Sequence, residues 1–162
     1  MQHSAYLSIG SNIYPRENIP KALRFLSARL SILHLSSAWC TKAVGTSGPD
    51  FVNMAVHVET SCRLPNLKQD ILYGIEDTLG RVRSTDKYAP RPIDLDIVIF
   101  DGKVIDPNLS QLDYLILPLS ELLPDFCPTS DGQTMTDLAN QIKAKSTASK
   151  LEPFPDFPST RP

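Results

Sequence analysis

Between Ile93 and Phe100 the chain reads IDLDIVIF, and this stretch constrains the fold more than any other. Ile93, Leu95, Ile97 and Ile99 alternate with Asp94, Asp96, Val98 and Phe100, the period of a strand with one buried face. Asp94 and Asp96 are therefore expected on the same side. Two residues of strand span roughly 6.6 Å. Two bare carboxylates at that spacing repel by about 2.5 kcal/mol at an effective dielectric of about 20. Such a pair calls for positive charge, and Arg81, Arg83, Lys87 and Arg91 lie just upstream. Hard carboxylate oxygens suit Mg²⁺, which is held by one or two carboxylates plus substrate phosphates. Arginines suit the phosphates themselves. A metal–polyphosphate site is one reading. The other is a solvated face on which Asp94 and Asp96 form salt bridges with Arg81, Arg83 or Arg91. The D-x-D pattern alone does not decide between them.

The chain has 162 residues, enough for one domain with a sizeable core. We expect that domain over residues 1–149, with a proline-rich tail over 150–162. A formal net charge of −2 gives no global basic field for nucleic acid; the local basic cluster fits a small anionic ligand instead. Cys40, Cys62 and Cys127 are odd in number and widely spaced, and read as reduced, mostly buried thiols. The first residues, MQHSAYLSIG, lack the apolar core of a signal peptide. No apolar run approaches the length of a membrane span. The expectation is a cytoplasmic protein without membrane partners.

In chain order, Ala5–Ile9 reads as a strand ended by a Gly10-Ser11-Asn12 turn. A helix follows from about Pro15, with Ile19, Ala22, Leu23, Leu26 and Leu30 on one stripe. Pro20 is tolerable there only in the first turn. Ser31–Thr41 reads as one strand and Lys42–Asp50 as a glycine-containing mobile loop. Phe51–Glu59 reads as a strand with Val52, Met54, Val56 and Val58 buried and with Phe51, Asn53, Ala55 and His57 opposite. An aromatic ring and an amide two residues apart can take a flat heterocycle by stacking and hydrogen bonding; an edge aromatic and a loop-proximal Asn fit the same letters. Leu64–Leu79 reads as a helix stopped by Gly80. Glu76 falls in its last turn, where the helix dipole disfavours an acid, and so hints at a local partner.

A basic loop (81–92) leads into the D-x-D strand, and Asp101-Gly102 turns it into a short strand at Lys103–Ile105. Pro118–Leu123 reads as a short helix or turn and Thr134–Lys143 as a helix. The order strand, helix, strand, strand, helix, strand is the ferredoxin-like βαββαβ plan of an α+β fold. Its sheet is mostly antiparallel, with helices on one face and the ligand site on the other.

Read together, AYLSIGSNI, DFVNMAVHVET, IEDTLGRVR and above all KYAPRPIDLDIVIF resemble the hydroxymethyl-dihydropterin pyrophosphokinases of folate biosynthesis. The resemblance covers residues 5–106 well and is fainter over PLSELLPDF and PTSDGQTM. It implies transfer of pyrophosphate from ATP to the hydroxymethyl group of a reduced pterin, 6-hydroxymethyl-7,8-dihydropterin, with release of AMP. It implies two Mg²⁺ ions on Asp94 and Asp96, and ATP contacts from Glu76, Arg83, Tyr88, Arg91 and Ile97, with Arg81 nearby. Arg81, Arg83 and Arg91 join the two acids as the expected catalytic set. The pterin is expected against Thr41, Lys42, Ala43, Val44, Gly45, Phe51, Asn53 and Asp94. As partners it implies the two small-molecule substrates and association with other folate-pathway enzymes.

The chain also departs from the family pattern. A V-P-H-P-type segment with a following Arg, which helps hold the ATP phosphates in the family, is replaced by the shorter NLSQLDYLILPL (108–119). Tyr114 then falls where the resemblance places a second pterin-stacking aromatic, and Ser110 where a hydroxyl meets ATP. Two further readings stay open at this point. One is a catalytically impaired pterin-binding or assembly protein on the same fold; the other is a D-x-D transferase acting on a nucleotide sugar.

Overall fold

The structure is a computed structural model, and it describes residues 1–154. Most of the proline-rich tail (155–162) lies outside the described residues. The strands are β1 (His3–Ser11), β2 (Ser31–Leu35), β3 (Trp39–Thr41), β4 (Phe51–Thr60), β5 (Asp94–Phe100), β6 (Lys103–Val104) and β7 (Ser149–Lys150). They form one antiparallel sheet in the order β6-β5-β1-β4-β3-β7, with β2 also paired to β4. The central β1 thus lies between β4 and β5, as the ferredoxin-like plan requires.

One face of the sheet is covered by α1 (Pro15–Ser27) and by a continuous helical run between β4 and β5. That run comprises α2 (Leu64–Asn66), a π-helical turn (Leu67–Leu72) and α3 (Tyr73–Thr78). Ala5, Leu7, Ile9, Ile19, Leu23, Leu26, Val52, Met54, Val56, Val58, Leu67, Ile71, Leu72, Ile75, Leu95 and Ile97 make a single buried cluster between the layers. The apolar spacing in the sequence located this helix but not its π turn. Its end follows the glycine rule closely. Gly80 takes φ 83°, its N–H donates to the Asp77 carbonyl, and the Arg81 N–H donates to the Glu76 carbonyl. This Schellman geometry turns the chain straight into the basic loop.

The other face carries α4 (Asp113–Leu122), whose first turn borders the acids, and α5 (Met135–Lys143). Their residues Leu115, Ile116, Leu117, Leu119, Met135 and Leu138 pack with Trp39, Ala55, Val98 and Ile99. The helices leave a strip of this sheet face open over Gly10, Asn53, Asp94 and Asp96. Thr134 starts α5 with a reciprocal cap: its hydroxyl accepts from the Asp137 N–H while the Asp137 carboxylate accepts from the Thr134 N–H.

Several sequence expectations change on folding. Ser31–Thr41 is two strands, because Ser36–Ala38 leaves the ladder and the Ser36 hydroxyl takes over the Ala55 N–H. Helix α4 begins at Asp113, five residues before the short helix expected at Pro118. Pro20 lies beyond the first turn of α1, which starts at Pro15. Alternation in β5 breaks at a bulge: Leu7 pairs with Ile97 but Tyr6 pairs with Ile99. One extra residue flips everything after it. Ile99 therefore joins Val98 against α4, while Phe100 packs toward the α1 side. The cysteines are not buried: Cys40 and Cys62 are half-exposed, and Cys127 lies exposed in a turn beside the Asp125 and Gly132 carbonyls. No helix among the described residues is long and apolar enough to cross a membrane.

Glu121 of α4 clasps the outer strands. Its carboxylate accepts from the Ser37 N–H and from Trp39 Nε1, both at 2.8 Å, and pairs with Lys150 of β7 at 3.3 Å. Burial pushes its pKa up, but the Ser37 and Trp39 bonds and the Lys150 charge outweigh burial and hold it below the usual value. Glu121→Ala leaves two donors without a partner and is expected to cost about 2 kcal/mol in urea unfolding at neutral pH. A folded-state pKa below the unfolded one gives stability that is present above about pH 4.3 and lost as pH falls further. That acid-dependent loss should be smaller in Glu121→Gln.

Candidate functional site

The open strip forms a cleft of about 400 Å³ between the sheet and the two long loops. Its floor is built by strand pairing. Gly10 of β1 sits between Asn53 of β4 and Asp94 of β5, and Ser8 sits between Ala55 and Asp96. A glycine is required at position 10, since a Cβ there would lie 2.9 Å from Asn53 Oδ1. The Asn53 amide donates to Thr41 Oγ1 at 2.8 Å. One of its two N–H donors is thereby engaged, and its carbonyl oxygen lies beside Gly10. Phe51 and Tyr114 both line the cleft, one from the start of β4 and one from the start of α4. Burial, together with Asp106, Asp94 and Asp96, pushes the Tyr114 phenol up to about 12, so it is a hydrogen-bond donor throughout the neutral range.

Loops 42–50 and 81–92 roof the cleft with Lys42, Val44, Thr46, Lys87, Tyr88, Ala89 and Arg91. They touch at Gly45 (φ 73°), where an added Cβ would overlap the Tyr88 ring. Asn12 reaches both loops, accepting from the Arg91 N–H at 2.7 Å and donating to the Pro49 carbonyl at 3.3 Å.

Behind the floor lies a charged network. Glu76 is fully buried. Its Oε1 accepts from the Leu95 N–H at 2.7 Å and from Arg81 Nη1, and its Oε2 accepts from Arg83 Nη2 at 2.5 Å. Arg81 Nη1 also donates to Asp94 Oδ1 at 2.5 Å, and Arg91 Nη1 donates to Asp94 Oδ2. Burial is the largest influence on Glu76 and raises its pKa; the Leu95 N–H, Arg81 and Arg83 pull it back. Arg81 is held protonated because Asp94 and Glu76 outweigh its own burial. Asp96 makes no such pair among the described residues. Burial, then the adjacent Asp94 charge, raise its pKa, with Lys68 and Arg81 opposing.

The fold thus brings Thr41, Lys42, Val44, Phe51, Asn53, Tyr88, Arg91, Asp94, Asp96 and Tyr114 to one cleft. Gly45 lies under Tyr88. Glu76, Arg81 and Arg83 stand behind Asp94 as its support. Ala43 and Ser110 do not line the cleft, and Ile97 points into the α1-side core, 4% exposed. Sequence reasoning missed Ser8, Gly10, Asp106 and Asn108. Strand alternation in β1 could have found Ser8 and Gly10; Asp106 and Asn108 come from irregular chain after the hairpin, where no period exists to read. A wider groove of about 720 Å³ lies beside residues 151–154. Among the described residues, Glu152 is the single acid or base lining it, so we place the candidate chemistry in the smaller cleft.

An open, acid-floored and arginine-flanked cleft on an antiparallel α+β sheet has the features of a phosphate-handling transferase. HPPK-DHPS of Plasmodium falciparum has the same fold, with a TM-score of 0.70 at 12% identity over 89% of this chain and 46% of that one. The sequence is 29% identical over 151 residues to the 2-amino-4-hydroxy-6-hydroxymethyldihydropteridine pyrophosphokinase of Synechocystis sp., covering 86% of this chain and 76% of the relative. It is 32% identical over 134 residues to the Bacillus subtilis protein of that name, covering 75% and 79%. Residues 6–124 match the model of the 7,8-dihydro-6-hydroxymethylpterin-pyrophosphokinase (HPPK) family. The chain belongs to that family.

Removing Glu76 would leave Arg81 buried with one partner fewer and the Leu95 N–H with none. Glu76→Ala is expected to destabilise the fold by about 3 kcal/mol, measured by chemical denaturation. Glu76→Gln, which keeps an acceptor for Leu95, should cost less.

Proposed function

We propose that this chain transfers the pyrophosphoryl group of ATP to the hydroxymethyl oxygen of 6-hydroxymethyl-7,8-dihydropterin, giving AMP and the pterin diphosphate. The carrying observation is that Asp94 and Asp96 open onto the same cleft as Phe51, Asn53 and Tyr114 in a chain of this family. The reaction forms a bond from the hydroxymethyl oxygen to the β-phosphorus and breaks the bond from that phosphorus to the α–β bridging oxygen. AMP departs with that oxygen, and the hydroxyl proton is released.

The pterin lies flat between Phe51 and Tyr114, an arrangement suited to a π-system. Asn53, one N–H already given to Thr41, offers its carbonyl oxygen to a ring N–H and its second N–H to a ring acceptor. Arg91 binds the polyphosphate from the roof, and Arg81 and Arg83 add charge stabilisation from behind. The two carboxylates supply hard oxygen donors on one strand face, the donor set that Mg²⁺ takes alongside substrate phosphates. Held by Asp94 and Asp96, Mg²⁺ would supply positive charge to neutralise the polyphosphate. The loops that meet at Gly45 and Tyr88 exclude water from the reacting phosphorus. We also propose that the protein works beside other folate-pathway enzymes, a reading supported by the joined HPPK-DHPS name of its structural neighbour.

Incubation with ATP, Mg²⁺ and the reduced pterin alcohol should yield AMP on nucleotide chromatography. Asp96→Ala should abolish that AMP, by about 10³-fold or more, while circular dichroism shows the fold retained. AMP production that persists in Asp96→Ala, or none from the wild type, would contradict the assignment.

A further inference from the structure

The two acids of β5 keep different company. Both oxygens of Asp94 are engaged, one by Arg81 and one by Arg91. Asp96, on the same face, has no guanidinium or ammonium within ion-pair distance among the described residues. The pairs on Asp94 are not loose surface contacts: the side chains of Arg81, Arg91 and Asp94 are 13%, 26% and 20% exposed. Each arginine also has a second hold. Arg81 shares its Nη1 with buried Glu76, and Arg91 donates Nη2 to the Lys87 carbonyl. Either guanidinium can therefore leave Asp94 without losing every partner.

Resting on the pyrophosphokinase reading, we infer that Arg81 and Arg91 are built-in counter-ions of Asp94, engaging the two carboxylate oxygens that a divalent cation would take. A carboxylate carries one negative charge; the polyphosphate of a nucleotide carries several and matches the planar fork of an arginine better. The nucleotide draws the arginines off Asp94, and only then do Asp94 and Asp96 together face a cation. The cleft takes its divalent ion with the nucleotide and excludes the ion alone. The device is an ion-pair exchange: the same two arginines that neutralise the acid in the empty cleft neutralise the phosphates in the filled one. The arginines thus have an anionic partner in both states, the Asp94 carboxylate in one and the phosphates in the other.

The test uses the full chain and Mn²⁺, a paramagnetic stand-in for Mg²⁺, with free Mn²⁺ read by electron paramagnetic resonance and no nucleotide present. The wild type should bind Mn²⁺ only weakly. Arg91→Met should raise the affinity for Mn²⁺ alone by about tenfold, the effect of removing one screened unit charge beside the ion. Arg91→Lys, which keeps the charge but not the fork, should raise it less. Adding Asp94→Asn to Arg91→Met should return the affinity to the wild-type level, placing the gained site on Asp94. The same Arg91→Met protein should bind α,β-methylene-ATP more weakly in calorimetry. Tight binding of Mn²⁺ alone by the wild type would overturn the inference, as would an Arg91→Met affinity no higher than the wild type's. If AMP forms in the enzymatic assay while Arg91→Met gains nothing for Mn²⁺, the counter-ion role is wrong and the pyrophosphokinase reading stands. A gain for Mn²⁺ without AMP formation would support the role and remove the enzymatic reading.

Discussion

A fully buried carboxylate with two arginines organises this molecule around its cleft. Glu76 ends one helix, yet its oxygens reach the Leu95 amide in β5 and the guanidiniums of Arg81 and Arg83 in the following loop. A buried charge without partners costs several kcal/mol, so the helix end, the loop and the strand are constrained to one geometry. The Schellman turn at Gly80 makes that geometry reachable, because it folds the Arg81 N–H back onto the Glu76 carbonyl. Asp94 is then held by Arg81, whose other partner is Glu76. The position of a cleft residue is in this way set by an ion pair inside the core.

The sheet gives this network a floor with two unlike faces. One face is largely apolar and accepts α1 and the helical run over Leu64–Thr78. The other face is divided. Its far end is apolar and buried under α4 and α5, and its near end is polar and left open. The bulge between Ile97 and Ile99 contributes to that division. It places Val98 and Ile99 together under α4, just beyond Asp96. Without the extra residue, Ile99 would face the opposite core and the seat of α4 would be smaller. Bulges near sites commonly act in this way, re-aiming side chains where a regular ladder would not.

Much of this was legible in the residues. Periods of two and of three to four located most of the strands and helices, and the Asp-Gly turn after β5 was readable: Asp101 and Gly102 take positive φ. The convergence of Phe51, Asn53, Asp94 and Asp96 followed from alternation plus the ferredoxin-like order. Glu76 was legible only as an acid in an unfavourable place. That it is fully buried follows from its bonds to residues in the next loop and strand, which no local pattern contains. Asn12 looked like turn chemistry, and its bridge between two loops depends on residues 37 and 79 positions away. The one-residue bulge, the break at Ser36–Ala38 and the early start of α4 escaped because each is decided by what packs beside it.

The amino-acid sequence alone determined the family, the order of elements and the sharing of one strand face by two acids, because periodicity and short motifs are local and survive without knowledge of contacts. Tertiary structure decided which of those acids is already paired. Asp94 lies within reach of Arg81 and Arg91 and Asp96 does not, although the two stand two residues apart on the same face. That difference comes from where a helix end and a loop are brought to rest against β5, and ion pairs between distant segments exist only once the sheet has assembled.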